Sequence, residues 1–213
     1  MTEPSNRATV RRLPERGRYD AETIHQVLDE AMICHLSFVT DDGPVVIPTI
    51  HARVGDTLYL HGSHASRMMR TIVDADVCVA ATIVDGIVAA RSLFHHSLNY
   101  RSVVVFGTTR LVVDPDERSA AFKAITEHVL PGRWEEGRQP NVKEDTGTKL
   151  LAIGISEASA KVRTGPPGDD EEDMASGIWA GVIPIATVAG QPIPAPDLEP
   201  GIDVPPSVID YTT

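Results

Sequence analysis

The segment Leu60-His61-Gly62-Ser63-His64-Ala65-Ser66-Arg67-Met68-Met69-Arg70 runs from a strand end through a Gly-Ser turn into a helix start. Ser63 and Ser66 supply hydroxyl donors. Arg67 and Arg70, three residues apart on one helical face, supply charge-assisted hydrogen bonds to an anion. A helix N-terminus adds unpaired N–H groups and partial positive charge, which suits a phosphate. The same residues also describe an ordinary solvated helix start with surface arginines, and both readings stand on spacing alone. Trp179 is the second candidate. Lying in an apolar run, it is either a packed anchor, in the fold or in a subunit interface, or a stacking partner for a planar ligand.

Other chemistries lose their support. His61-x-x-His64 and His95-His96 offer imidazoles to a metal, but Cys34 and Cys78 sit in apolar runs and read as packed thiols. No H-E-x-x-H, C-x-x-C or acidic calcium loop occurs, so no metal site is expected. The G-x-S-x-G elbow, the phosphate loop of nucleotide triphosphatases and the G-x-G-x-x-G fingerprint are also missing.

The elements that must carry these residues follow from pattern. Asp20 caps a helix whose Ile24, Val27, Leu28 and Ala31 recur at i, i+3, i+4, i+7. Strands are expected over Ile33–Thr40, Val45–Arg53 and Thr57–His61, joined by turns at Asp41–Pro44 and Val54–Asp56. A short helix to about Val73 follows. Val77–Val84 and Ile87–Ser92 are expected to form a hairpin about Asp85-Gly86. Asn99–Val113 is a long strand. Asp114-Pro115-Asp116-Glu117 starts a helix in a capping-box arrangement, with Ala121, Phe122, Ile125 and Val129 inward and a stop at Pro131-Gly132. Gly132–Thr148 reads as a polar loop and Lys149–Val162 as strand. At least six strands in hairpin order, with no βαβ alternation, predict a mainly β fold with flanking helices, an antiparallel closed barrel.

The 213 residues carry 19 Lys+Arg and 30 Asp+Glu, a formal net charge of -11. That charge is uneven. Residues 166–213 hold nine acids, nine prolines and no Lys or Arg, whereas the first 165 hold 19 basic and 21 acidic groups. The overall balance opposes nucleic-acid binding, which needs a positive field, while a near-neutral body can keep one basic pocket. No run approaches a membrane span, the basic N-terminus has no apolar stretch after it, and two cysteines make no disulfide framework. A soluble, cytoplasmic protein is expected. Its expected parts are an N-terminal arm (1–19), a barrel domain (20–165) and an acidic, Pro-rich extension (166–213) that packs on the barrel or on a partner.

Val46–His51, Leu58–Ser63, Ser66-Arg67, Tyr100–Gly107, Ser159–Pro167 and Trp179–Pro184, in this order and spacing, resemble the flavin-binding split-barrel superfamily of pyridoxamine 5′-phosphate oxidase. The similarity is to its short-chain branch, with the nitroimidazole-resistance (Nim-type) proteins, and spans about Ala21 to Ile185. The resemblance implies a six-stranded antiparallel split β-barrel with FMN at a homodimer interface. It implies phosphate contacts from Ser66 and Arg67, with Ser63 and Arg70 of the same turn as further candidates, and flavin contacts from Pro48, Thr49, Ile50, His61, Gly62 and Ser102, with His51 beside them and a looser one from Trp179. Two departures stand out. Met68 replaces a basic residue after the Ser-Arg pair, and the segment after Arg163 lacks the arginine that the oxidase uses for substrate, so vitamin phosphate oxidation is not implied.

The expectation is therefore an FMN-dependent oxidoreductase that takes a hydride and passes electrons to a small acceptor. His51 or His61 is the candidate proton donor, and Lys161 or Arg163 the candidate charge at the ligand mouth. The alternatives are a non-catalytic flavin-binding module, or a split barrel that uses deazaflavin or haem.

Overall fold

The computed structural model describes residues 4–212. Met1, Thr2, Glu3 and Thr213, which the expected arm and extension include, lie outside the described residues. The first helix, α1 (Ala21–Glu30), starts where expected, because the Asp20 carboxylate accepts the Thr23 N–H at 2.8 Å. It buries Ile24, Val27 and Leu28. Before it, a two-residue strand β1 (Gly17–Arg18) is already in a sheet. After it come β2 (Cys34–Thr40), β3 (Gly43–Thr49), β4 (His51–Val54) and β5 (Thr57–Ser63). The single expected strand through Val45–Arg53 is thus broken at Ile50, where the chain turns from one sheet region to another.

The short helix α2 (Arg67–Thr71) separates β5 from β6 (Asp76–Ala89) and β7 (Ser97–Leu111), and these two long strands form the spine of the molecule. The expected hairpin at Asp85-Gly86 does not form. Instead β6 runs on through a bulge between Val84 and Gly86 and stays paired with β7 on both sides of it. The dipeptide reports a local turn preference, but fourteen residues of ladder outweigh it. Arg101 also holds the Asp85 carboxylate through Nη2 at 2.9 Å and Nε at 3.1 Å.

After β7, α3 (Pro115–Val129) starts on Asp114, whose carboxylate accepts the Glu117 N–H at 2.9 Å. The Glu117 side chain does not return to the cap. It binds Arg110 and accepts the Tyr59 hydroxyl at 2.8 Å, so the capping box is half made. Ala121 and Ile125 are buried, Phe122 is half-buried and Val129 is exposed. The expected loop holds two short helices, α4 (Arg133–Glu136) and α5 (Val142–Gly147). Asn141 and Glu144 close a complete capping box on α5. The last strands of the barrel are β8 (Thr148–Gly154) and β9 (Glu157–Arg163), and β10 (Gly181–Pro184) and α6 (Pro206–Tyr211) follow.

The strands pair in the order β3-β2-β6-β7-β8-β5-β4, with β9 on β7, β1 on β9 and β10 on β6. This is a mainly antiparallel split barrel with flanking helices. β7 is shared by its two halves: Tyr100–Phe106 pairs with β9, and Thr109–Leu111 pairs with β8. Gly107 sits at that switch, where a Cβ would meet Ile153 Cγ2 at 2.9 Å, so a larger residue would push the halves apart. The barrel interior is filled by Leu28, Leu36, Leu58, Leu60, Met69, Val79, Val105 and Ile153. A second cluster under α3 joins Ala52, Tyr59, Val112, Ala121 and Leu150. β5 is buried on both faces between the two clusters, with Leu58 and Leu60 toward one and Tyr59 toward the other. That burial fixes where its last residues emerge.

The N-terminal segment is docked. Arg7 bridges Asp76 at 2.6 Å and Glu157 at 2.7 Å and stacks over Phe106. No helix among the described residues is long and apolar enough to cross a membrane.

Candidate anion and cofactor site

β5 emerges from the core at His61-Gly62-Ser63 and bends into the turn that begins α2. The His64 N–H donates to Gly147 O at 2.8 Å, and the Ser66 N–H to Ser63 O at 2.9 Å. Ser63 Oγ accepts from the Ala65 N–H at 3.2 Å, and Ser66 Oγ caps the Met69 N–H at 3.5 Å. Both hydroxyl oxygens act as acceptors in the turn, so each keeps its O–H to donate outward. Gly62 has a separate role, because a Cβ there would stand 2.7 Å from Met69 Cγ. Only glycine lets α2 fold back this closely on the strand end.

The two expected arginines lie on α2, with different partners. Arg67 pairs with Asp42 of the β2–β3 turn at 2.9 Å, with side chains 73% and 82% exposed. An ion pair so open to water contributes little and exchanges readily for a better anion. Arg70 rests on the Ala65 carbonyl. Pro48, Thr49 and Ile50 form the β3–β4 junction, and the His51–Leu60 pairing sets that junction beside His61 and Gly62. The His61 Nδ1 is buried without a hydrogen-bond partner, and burial pulls the imidazole below its usual pKa. A neutral ring with an orphaned nitrogen suits a hydrogen-bonding ligand at the strand end. Across the β5–β8 ladder, Lys149 lies opposite Gly62 and donates from Nζ to Met69 O at 3.4 Å.

Five expected residues lie elsewhere. His51 is fully buried, its Nε2 at 2.8 Å from Leu28 O and its ring 4.7 Å from that of His128. Burial pushes its pKa down to about 4. It is a core residue, because inward positions of β4 face α1 rather than the junction. Ser102 sits mid-strand, its hydroxyl on Lys161 O at 3.3 Å. Trp179 precedes β10, which lies on Gly86–Ala89, at the end of the β6–β7 ladder opposite the Thr109–Leu111 segment that joins β8. It is 67% exposed, so within one chain it is not a packed anchor. Lys161 donates to Arg12 O at 2.8 Å, and buried Arg163 binds the Asn99 side chain and Pro166 O. Both cations serve the scaffold rather than a ligand mouth.

Two features escape sequence reasoning. A cavity of about 640 Å³ opens beside the turn, bounded by His64, Lys149, Phe122, Trp134, Thr146 and Thr148. It joins β8 to α3, α4 and α5, and its local signal was the Asn141-x-x-Glu144 box in a segment read as loop. The second is the turn Leu93–His95. Leu93 and Phe94 are 86% and 89% exposed, an apolar face on an otherwise folded sheet end. His95 Nε2 lies 3.1 Å from Asp170 Oδ2, and His96 Nδ1 lies 3.2 Å from Ser92 O. If that contact holds the proton on Nδ1, Nε2 carries the lone pair that binds metals. Among the described residues no group of three or more His, Cys, Asp or Glu side chains forms a metal cage. Cys34 and Cys78 are free thiols.

Comparison with known proteins gives the same fold. The family model for pyridoxamine 5′-phosphate oxidase matches residues 20–162. The flavocytochrome Anf3 from Azotobacter vinelandii is 38% identical, with 98% of this chain and 97% of that chain covered and a TM-score of 0.91. A FAD and haem binding protein from Mycobacterium smegmatis is also 38% identical, with 92% and 97% covered and a TM-score of 0.88. A candidate 5-nitroimidazole resistance protein from Bacteroides thetaiotaomicron shares the fold at 19% identity and a TM-score of 0.57, with 68% and 86% covered. No curated protein matches the chain.

Proposed function

The chain belongs to the pyridoxamine 5′-phosphate oxidase family, and on that premise we propose that it is a flavin-binding redox protein that also carries haem and passes electrons to a small-molecule acceptor. The observation that carries the flavin half is the turn after β5, where Ser63, Ser66, Arg67 and Arg70 lie in one strand–turn–helix segment and Arg67 is held only by an ion pair open to water. Ser66 and Arg67 would hold the phosphate next to the ribityl chain that FMN and FAD share, with Ser63 and Arg70 beside them. The Pro48–Ile50 junction and His61 would face the ring system. A neutral His61 can accept or donate one hydrogen bond there without bringing a second charge.

Full-length similarity to a flavocytochrome and to a FAD and haem binding protein supports the haem half. Among the described residues, His96 would hold the haem iron, because its Nδ1 lies on a carbonyl and leaves Nε2 to bind, and exposed Leu93 and Phe94 next to it would cover the haem from water. When bound, a flavin exchanges two electrons as a hydride, and a haem iron exchanges one at a time.

A homodimer completes this reading. The chain after residue 173 leaves Met174, Ile178, Trp179, Val188 and Ile193 exposed, which suits the extension (166–213) packing across a second copy, while the arm (1–19) and barrel (20–165) keep their own contacts. Free thiols fit a cytoplasmic setting.

The test is the absorption spectrum of the protein as isolated and after reconstitution with flavin and haem. Flavin and Soret bands are expected, and His96→Ala is expected to lose the Soret band while it keeps the flavin. Colourless protein with no affinity for added FMN or FAD would overturn the proposal. Bound flavin without turnover of reduced nicotinamide and acceptors would reduce it to a flavin-carrying module.

A further inference from the structure

We infer that the cavity between β8, α3 and the α4–α5 segment is a second ligand site, apart from the flavin turn, and that it takes a small planar aromatic carboxylate. None of Ser63, Ser66, Arg67 and Arg70 lines it, so the inference does not rest on the proposed flavin site. Its volume of about 640 Å³ lies within the usual range for a small-molecule site.

Much of the lining is apolar. Leu111 and Val113, between the end of β7 and the start of α3, are exposed large apolar side chains that a ligand would cover. Phe122 and Trp134 add two half-buried aromatic rings. Such walls favour a flat apolar body over a sugar or a polyphosphate.

The charges decide what that body carries. Arg118 is already bound. It lies over the Phe122 ring at 5.7 Å and holds Asp145 and the carbonyls of Val112, Asp145 and Thr148. The same contact neutralises Asp145. Lys149 is different. Half-buried on β8, it makes one long hydrogen bond, 3.4 Å to Met69 O, and no ion pair among the described residues. An ammonium has three donors, so two remain for an anion at the cavity edge. One unpaired cation among apolar walls matches a singly charged ligand.

The aromatic wall is built in advance. Glu127 accepts the N–H groups of Gly132 at 2.7 Å and Trp134 at 2.9 Å, and Gln139 donates to Trp134 O at 2.9 Å. Helix α6 braces the same segment from outside, where the Ser207 N–H donates to Glu136 at 3.0 Å and the Ser207 hydroxyl binds the same carboxylate. The backbone that carries Trp134 is therefore fixed, which lowers the ordering cost of binding.

Calorimetry on the protein as isolated tests this with 2-naphthoate and its neutral counterpart, 2-naphthylmethanol. The acid is expected to bind about tenfold more tightly than the alcohol, the scale of a hydrogen bond to a charged group. Lys149→Gln is expected to remove that preference and to leave the alcohol within about twofold. Trp134→Leu is expected to weaken both ligands about threefold to tenfold, the scale of an aromatic contact. Unfolding midpoints establish that the variants are folded, and should Trp134→Leu not be, Phe122→Leu carries the same expectation. Saturating naphthoate is expected to leave the FMN dissociation constant unchanged. No binding of naphthoate, equal wild-type affinities for acid and alcohol, or a Lys149→Gln variant that weakens both alike would overturn the inference and leave the flavin reading standing. Competition between naphthoate and FMN would also overturn it, because the cavity would then belong to the flavin site. Naphthoate binding with no affinity for any flavin would overturn the flavin reading alone.

Discussion

Where α3 meets α5, Arg118 is enclosed. Its guanidinium binds Asp145 and the carbonyls of Val112, Asp145 and Thr148, and its side chain is 16% exposed. At the turn after β5, Arg67 pairs with Asp42, and both side chains lie in water. The first arginine spends its donors on the backbone ends of three elements and ties them together. The second keeps most of its donors for something that arrives later. Charge alone does not distinguish a binding residue from a scaffold residue; the degree to which its donors are already used does. By the same measure Arg101, clamped by Asp85 and Glu30, and Arg163, clamped by Asn99 and Pro166, are scaffold.

The largest way to break this comparison is to unlock the enclosed arginine. Arg118→Met leaves three carbonyls and Asp145 without their partner, and is expected to cost about 2–4 kcal/mol of folding stability. Arg67→Met is expected to stay within about 0.5 kcal/mol, as surface substitutions do. Denaturant midpoints check both, and equal losses would erase the distinction.

A second break concerns the two histidines near the strand ends. Burial holds His51 down to about 4 and pulls His61 down as well. The unfolded chain takes up a proton near pH 6.5, so it binds more protons than the native state between that value and the folded one. Stability is therefore fully present above about pH 6.5 and lost as the pH falls toward 4, by about 2–3 kcal/mol over the window from His51 alone. Unfolding curves between pH 7 and pH 4.5 measure it, and His51→Gln is expected to flatten the slope. A wild-type curve without that slope would contradict a neutral core imidazole.

These contrasts also mark what the sequence can carry. Helix α1 was legible because its cap and its apolar spacing lie within twelve residues. The strand–turn–helix at Leu60–Arg70 was legible for the same reason. Asp85-Gly86 misled, because a turn dipeptide is a local preference and the β6–β7 ladder is a long-range one. His51 read as a ligand residue because its neighbours in sequence, Thr49 and Ile50, face the junction. Only the packing of α1 and His128 shows that it points inward. The cavity beside Lys149 was invisible, since Phe122, Trp134 and Thr148 come from three elements and share no local pattern. Exposed Trp179 could not be anticipated from hydropathy, which reports a need for burial but not which surface, or which copy of the chain, meets it.

The next effect falls on binding rather than folding. Arg67→Ala removes a charged donor from the phosphate position and is expected to weaken flavin about tenfold to a hundredfold, the scale of a hydrogen bond to a charged group. Calorimetry with FMN measures it. An unchanged dissociation constant would move the phosphate away from this turn.

The smallest effect tests why Arg67 is free to bind at all. Asp42 holds the guanidinium at 2.9 Å, and a phosphate has to displace that carboxylate or share the arginine with it. Because the pair is almost fully hydrated, separating it costs little, which is the property that fits Arg67 for exchange. Asp42→Asn keeps the shape and removes the competing charge. Flavin binding is then expected to tighten by no more than about fivefold, with the gain shrinking as salt screens the original pair. Weaker binding in Asp42→Asn would mean that the carboxylate aims the arginine rather than competing for it, and Arg67 would then belong with Arg118 among the fixed cations.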